Sequence, residues 1–536
     1  MKPNETRSPQ ERLVAPGSPF ELCSLGRRCV YRHAPRTLPE LLQKIRRAAT
    51  KMTLSTGDTH LTYSELSHRA SAFAARLSAE WSIGPGVRLG IVIPNGLEWP
   101  VAFVAACMSG AVPVLIEPGL QRGAICQLLE RTECRAVVVQ SSLAEELRSF
   151  GDRTPTVLVE VVGWDGQIPQ PVDPAPENIA IIACTSGTTT GRPKAVMLDH
   201  TGVITGLYNM MLGSALASAR NAVRAPPPTP ASIPTTLLST PLSHVGGYSG
   251  FLLNCLGGGR LLIPTKWDTG EVLRAVEQEK VRSLSGATPR QVRELLRAPD
   301  AGGRLDSLRS LTFHGAAFQS GLLEEIAAVL PAATVGTGYG MTETNGSVCI
   351  AAGAELRQRP DVSGPLLPTV ELALKDRSGE VVPPGREGEI WLRGAMLMRG
   401  YCTAPEPTAG TLIDGWLRTG DLGCLEESQF LRVLDRQDEF VECRGRRVPC
   451  GQIEGPIRGG LQADEVVALE VQGQLVLVIV PKPGDRLESA GLEERLRCLS
   501  PVVTGGDVRI VIREEVPRTL RGKIDRRALR SLVSKG

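Results

Sequence analysis

Aromatic residues are scarce in this 536-residue chain. They make up 4% of it, too few for the stacking platforms that hold single-stranded nucleic acid. An excess of one charge is also missing. Sixty Lys and Arg stand against 57 Asp and Glu, and the net +3 leaves no basic footprint for nucleic acid. The six histidines are scattered, without metal-ligand spacing. The 13 cysteines include no C-x-x-C pair; an odd count in a long chain reads as reduced thiols, mostly small core residues. The opening MKPNETRSPQERLVAPG lacks the apolar core of a signal peptide. The longest apolar run, Trp99 to Ile116, is broken by Pro113 and by small residues. It predicts a buried helix followed by a strand rather than a membrane span. Together these absences predict a cytoplasmic chain with no nucleic-acid partner and no membrane span.

What is present is ample apolar content, 42%, in a chain too long for one ordinary core, so several subdomains are expected. Thr62, three residues before Glu65, offers a capping box for a helix ending near Trp81. Strand-like VRLGIV, helix-like LEWPVAFVAACMSG and strand-like AVPVLIEP, RAVVVQ and PTVLVEVV follow. That alternation predicts a parallel sheet covered on both faces. A Pro-rich break, Ala219 to Thr236, reads as an exposed loop or insert, and the α/β pattern then resumes. After about Gly364, short strands joined by Gly and Pro turns suggest a smaller antiparallel or barrel-like subdomain. The last hundred residues mix strands and helices as a small α+β domain would. The expectation is therefore an α/β protein: a large N-terminal domain, residues 1–436, of α/β subdomains plus a barrel-like one, and a small mobile α+β C-terminal domain, residues 437–536.

One stretch carries chemistry on its face. In CTSGTTTGRPKAV, Cys184 to Val196, glycines permit close approach to a ligand and successive N–H groups can form an anion-binding nest. Hydroxyls add donors and Lys194 adds a positive charge, which together make a phosphate cradle. It is not a P-loop, because Arg192 and Pro193 follow Gly191. Four more motifs stand downstream: PLSHVGGYSG around His244, GYGMTET from Gly338 to Thr344, GWLRTGDLG around Asp421, and PRTLRGKIDRRAL around Lys523.

In this order the motifs resemble those of the AMP-forming adenylating enzymes, the superfamily of acyl- and aryl-CoA ligases, amino-acid adenylation domains and luciferases. The resemblance runs from about Leu61 to Arg527. It implies that Thr185, Ser186, Gly187, Thr188, Thr189, Thr190, Gly191 and Lys194 hold the β- and γ-phosphates of ATP. His244 would line the acyl site, with Gly247, Gly338 and Met341. Tyr339 would flank adenine beside Gly340, and Gly315 and Ala316 of HGAAF would pack under it. Thr342 would touch the α-phosphate and Glu343 would bind Mg²⁺, a hard ion suited to bridging phosphates. Asp421 would accept from both ribose hydroxyls, and Arg436 would help hold the ribose or phosphate. Asp438 falls at the family's hinge and Gly445 on its acceptor side. Lys523 would be the catalytic lysine, neutralising charge as a carboxylate meets the α-phosphate.

The chain departs from the family pattern in places. Asp435 replaces the usual glycine before Arg436, and Gln452 replaces the first Glu of a Glu-x-Glu that ends at Glu454. Between Glu454 and Lys523 it is shorter than CoA ligases usually are. These changes touch the acceptor, not adenylation. STPLSHVGG holds no Asp of the kind that pairs a substrate ammonium in amino-acid adenylating domains, which points to an aryl or acyl acid without a free α-amino group. The resemblance thus implies an ATP- and Mg²⁺-dependent ligase that activates a small carboxylic acid as acyl-AMP and passes it to CoA. An amine or a carrier protein are the alternative acceptors, and a non-catalytic nucleotide- or acyl-binding regulator is the outside reading.

Overall fold

Thr62 starts the first long helix, Tyr63–Trp81, as the capping box predicts: its Oγ1 accepts from the Glu65 N–H at 3.2 Å, and its own N–H donates to Glu65 Oε2 at 2.7 Å. The computed structural model describes residues 8–48, 53–140, 143–145, 147, 156–158, 172–185, 193–221, 234–313, 321–402, 408–426, 429–437, 439–443, 446–461, 463–482, 492–500, 508–519 and 524–534.

Two large sheets follow from the strand–helix alternation, but neither is wholly parallel. One has seven strands, in the order Gly400–Tyr401, Lys194–Asp199, Ile179–Thr185, Val112–Leu115, Arg88–Val92, Ala136–Val139, Thr156–Leu158. Its last five strands are parallel, whereas Lys194–Asp199 runs antiparallel to both of its neighbours. The other has eight strands: a parallel core from Thr334–Met341 across to Thr53–Thr56, with an antiparallel strand on each edge, Gly346–Ala352 and Thr59–Thr62. The antiparallel strands correct the all-parallel expectation. Thr59–Thr62 and Gly346–Ala352 each follow the strand they pair with after a short connection, which gives antiparallel pairing, whereas Lys194–Asp199 also pairs with Gly400–Tyr401 from far along the chain.

One hydrophobic core joins the two sheets. The helix Glu98–Met108 is buried from Trp99 to Cys107 and is followed by the buried strand Val112–Leu115, as that apolar run predicts. Trp99 stacks on Phe103 with centroids 4.8 Å apart, and Phe251 meets both rings edge-on. No helix among the described residues is long and apolar enough to cross a membrane. The 21-residue helix His200–Arg220, capped by Asp199 at 2.7 Å, was not apparent from the sequence pattern. Its mixed Gly, Thr and Met content blurs the helical period.

From Gly364 to Arg436 the chain builds a six-stranded antiparallel sheet, as the change in texture predicts. Beyond it lie the hairpin of Phe440–Cys443 with Arg446–Pro449, the helix Cys450–Leu461, and a three-stranded sheet of Glu465–Val471, Gln474–Val480 and Val508–Ile512. The cores of this last part are drawn only from residues 441–533, so it is a smaller α+β unit beside the large one.

Candidate active site

A single cleft of about 2410 Å³ is lined from all the large sheets and from the C-terminal unit. At one end, Thr185 and Lys194 face each other as partners in the antiparallel pair that closes the Ser/Thr/Gly connection, and both line the cleft. The Lys194 ammonium lies over the Tyr401 ring, 4.9 Å from its centroid. The Tyr401 hydroxyl donates to Glu343 Oε1 at 2.9 Å. Glu343 sits in a short 3-10 turn, Thr342–Thr344, at the end of the strand Thr334–Met341. Thr344 ties that turn down: its Oγ1 accepts from the Met341 N–H at 3.0 Å and donates to the Gly346 carbonyl at 2.7 Å. Gly340 is required here, because a Cβ on it would stand 2.0 Å from the Gly346 carbonyl oxygen.

Also in the lining, the Tyr339 hydroxyl donates to Asp421 Oδ2 at 2.6 Å. Asp421 is the register partner of Arg436, whose Nη1 lies 3.5 Å from Oδ1. The Asp421 N–H donates to Thr419 Oγ1 at 3.0 Å. Burial, reinforced by the Asp421 charge, pushes the Tyr339 phenol well above its ordinary value, so it stays a donor. A 6%-exposed carboxylate aimed into a cleft can accept from a pair of hydroxyls.

At the next wall, His244 precedes the helix Val245–Gly257, and its Nε2 is 2.9 Å from Glu117 Oε2. Glu117 follows the strand Val112–Leu115, and both partners are buried and line the cleft. Gly338 and Met341 line it too, as does Gly246. Gly247 does not. It packs so tightly on Pro241 that a Cβ would stand 1.9 Å from that carbonyl oxygen, so Gly246 and not Gly247 lines the cleft.

The C-terminal unit also lines the cleft. Arg526 bridges two carboxylates, Glu454 at 2.8 Å and Glu439 at 3.3 Å. Arg518 pairs with Glu465, and Arg297 of the large unit reaches Asp464 at 3.1 Å. Asp435 Oδ2 accepts from the Gly451 N–H at 2.9 Å, in the first turn of the helix Cys450–Leu461. Burial pushes the Asp435 carboxyl from its ordinary 3.8 up to about 7, with the charges of Glu439 and Glu454 adding to the rise.

The sequence profile of the AMP-binding enzymes matches residues 42–402. The chain belongs to that family. A 4-coumarate–CoA ligase-like protein of rice, Oryza sativa subsp. japonica, is 30% identical over 496 residues, covering 86% of this chain and 80% of its own. Two solved structures share the fold. The amide bond synthetase McbA from Marinactinospora thermotolerans superposes with a TM-score of 0.79 at 22% identity, over 93% of this chain and all of its own. O-succinylbenzoate coenzyme A synthetase from Bacillus subtilis, in complex with ATP and magnesium ion, superposes with a TM-score of 0.75 at 22% identity, over 91% and 98%.

In this AMP-binding enzyme the cleft gathers Thr185, Lys194, His244, Gly338, Tyr339, Gly340, Met341, Thr342, Glu343, Asp421 and Arg436. Ser186, Gly187, Thr188, Thr189, Thr190, Gly191, Gly315, Ala316, Asp438, Gly445 and Lys523 lie outside the described residues. Thr519 and Ile524, on either side of the segment containing Lys523, line the cleft. No cluster of three or more His, Cys, Asp or Glu that could hold a metal occurs among the described residues. A metal here would therefore rest on Glu343 and on phosphate oxygens, a donor set that fits Mg²⁺. Two residues escaped sequence reasoning, Glu117 in the lining of the cleft and Tyr401 behind Lys194 and Glu343. Glu117 has no local motif and meets His244 only through the fold. Tyr401 sits in a two-residue strand, Gly400–Tyr401, with no periodicity to announce it.

Proposed function

We propose that this enzyme joins a carboxylic acid to an acceptor through an acyl-adenylate. Supporting this is one cleft that holds Lys194 at the mouth of the Ser/Thr/Gly connection, the Tyr401-bound Glu343, and the Tyr339–Asp421–Arg436 group. Asp421 binds the ribose diol, Arg436 the ribose or phosphate, and Lys194 the outer phosphates. Thr342 touches the α-phosphate. Mg²⁺, when bound at Glu343 and the phosphates, screens their charge as a Lewis acid. A carboxylate oxygen attacks the α-phosphorus, that bond forms, and the bond to the bridging oxygen of pyrophosphate breaks. Lys523, from the C-terminal unit that we divide from the large one after Arg436, offsets the charge that gathers at that phosphate. An acceptor then attacks the acyl carbon and AMP leaves.

The acceptor proposed is the thiol of CoA, in line with the name of the rice relative. Transfer to an amine is the second reading, favoured by Gln452, which lines the cleft where a Glu is usual in the family. The acid proposed is aryl or acyl. Glu117 adds a carboxylate beside His244 that the local sequence lacks, so amino acids belong in the test.

Pyrophosphate release from ATP and Mg²⁺ is measured over aryl, fatty and amino acids, with and without CoA. An acid-dependent signal that turns over with CoA is expected. A burst of one turnover that CoA does not relieve, but an amine does, replaces CoA with the amine. ATP binding with no acid-dependent release across the panel overturns the enzymatic reading.

A further inference from the structure

Lys194 and Glu343 carry opposite charges, line the same end of the cleft, and have no ion-pair partner among the described residues. Two such groups in a sheltered cleft attract each other strongly. A direct pair would cancel both charges and would have to break before phosphate and metal could bind. Tyr401 touches both groups. The Lys194 ammonium rests on its ring face, 4.9 Å from the centroid, and its hydroxyl donates to Glu343 Oε1 at 2.9 Å.

The scaffold fixes Tyr401 rather than leaving it to follow its partners. Its backbone pairs with Val196, two residues beyond Lys194 on the neighbouring strand. Its N–H donates to Thr408 Oγ1 at 2.9 Å, and the next residue's N–H donates to the Ala195 carbonyl at 2.8 Å. The Met398 N–H donates to the Glu343 carbonyl at 2.8 Å, so the same segment also holds the backbone of Glu343. Only 6% of Tyr401 is exposed.

We infer that Tyr401 is a positioning residue that spaces the phosphate-binding lysine from the metal-binding carboxylate and keeps both open to MgATP. This rests on the proposed roles of Lys194 and Glu343. A single ring sets both groups, so their separation is preorganised and no ion pair has to be broken on binding.

The test is calorimetric binding of α,β-methylene-ATP to the full chain over a range of Mg²⁺ concentrations, which needs no turnover. In Tyr401→Phe the ring stays and the hydroxyl goes. The Mg²⁺ concentration for half-maximal analogue binding should rise about tenfold, the scale of one hydrogen bond to a charged group. The thermal midpoint should stay close to that of the parent. Tyr401→Leu removes the ring as well, and should weaken analogue binding in the absence of Mg²⁺ by a further few-fold. A mere packing role would lower the thermal midpoint and leave the Mg²⁺ dependence alone. If the parent binds the analogue with Mg²⁺ and Tyr401→Phe shows the same Mg²⁺ dependence, the spacer is wrong while the adenylating reading stands. If the parent does not bind the analogue at all, that reading falls and the spacer falls with it.

Discussion

The large unit and the C-terminal unit both line one cleft, and they handle charge in different ways. On the large unit, Glu343 is held by a neutral donor, the Tyr401 hydroxyl, and Asp421 takes the Tyr339 hydroxyl at 2.6 Å with the Arg436 guanidinium farther off at 3.5 Å. On the C-terminal unit, charges are satisfied by each other: Arg526 by Glu454 and Glu439, and Arg518 by Glu465. A neutral donor orients a carboxylate without cancelling its charge, so the group stays usable by a ligand. An ion pair does cancel it, which suits residues whose task is to hold a unit together. The contrast teaches that one wall is built to receive and the other to cohere.

The largest effect should come from Lys523, the one group of the C-terminal sequence proposed to act on the substrate. Lys523→Ala should slow acid-dependent pyrophosphate release about 10³-fold, roughly 4 kcal/mol in the barrier, the scale of removing a preorganised charge. Calorimetry should find nucleotide binding largely kept. Equal loss of binding would break the division between a receiving wall and a catalytic arm.

Next comes cohesion. Arg526→Met leaves Glu454 and Glu439 facing each other without their shared cation. Urea unfolding of the full chain should show a loss of about 3 kcal/mol, as for one partner removed from a buried pair. Unchanged stability would mean that solvent screens these charges and that the C-terminal wall coheres through its apolar cores alone.

A smaller effect is expected where a neutral donor is removed. Tyr339→Phe should weaken nucleotide binding about tenfold, roughly 1.5 kcal/mol, without changing the thermal midpoint much. A fall in stability with unaltered affinity would make Tyr339 a packing residue and erase its side of the contrast.

Part of this arrangement could be read along the chain: Thr185, Lys194, Tyr339, Glu343, Asp421 and Arg436, singled out by motif, all line one cleft. The antiparallel texture after Gly364 was equally plain. What could not be read depends on contacts between distant segments. Glu117 meets His244 across 127 residues. Tyr401 acquires its meaning only from the strand beside it. Gly246 and Gly247 differ by one position in a helix, and which of them faces the cleft is a matter of helical phase fixed by packing on Pro241. The helix His200–Arg220 was hidden because its buried face is lined with Gly, Thr and Asn as well as leucine.

The smallest effect lies where the two walls meet. The Asp435 carboxyl, raised from 3.8 to about 7, is protonated in the folded state at pH values where the unfolded chain has lost that proton. Its stabilising contribution is complete below about 4 and is lost as pH rises through about 7. Asp435→Asn keeps an oxygen for the Gly451 N–H and removes the titration. At pH 8 the variant should be more stable by about 1 kcal/mol, and thermal midpoints at pH 5 and pH 8 should differ less than in the parent. An identical pH profile would show that the junction does not feel this charge.

The cleft also makes a ligand into a clasp. Lys194 and Asp421 come from separate sheets with a long reach of chain between them, and in the proposed binding mode a nucleotide spanning them ties that reach into a closed loop. During synthesis the clasp has nothing to grip until Asp421 and Arg436 have emerged and paired, so the newborn chain must fold most of its length without the ligand. Once complete, every molecule that binds there raises the cost of unfolding by mass action. The substrate supply of a cell thus becomes part of what keeps this enzyme folded.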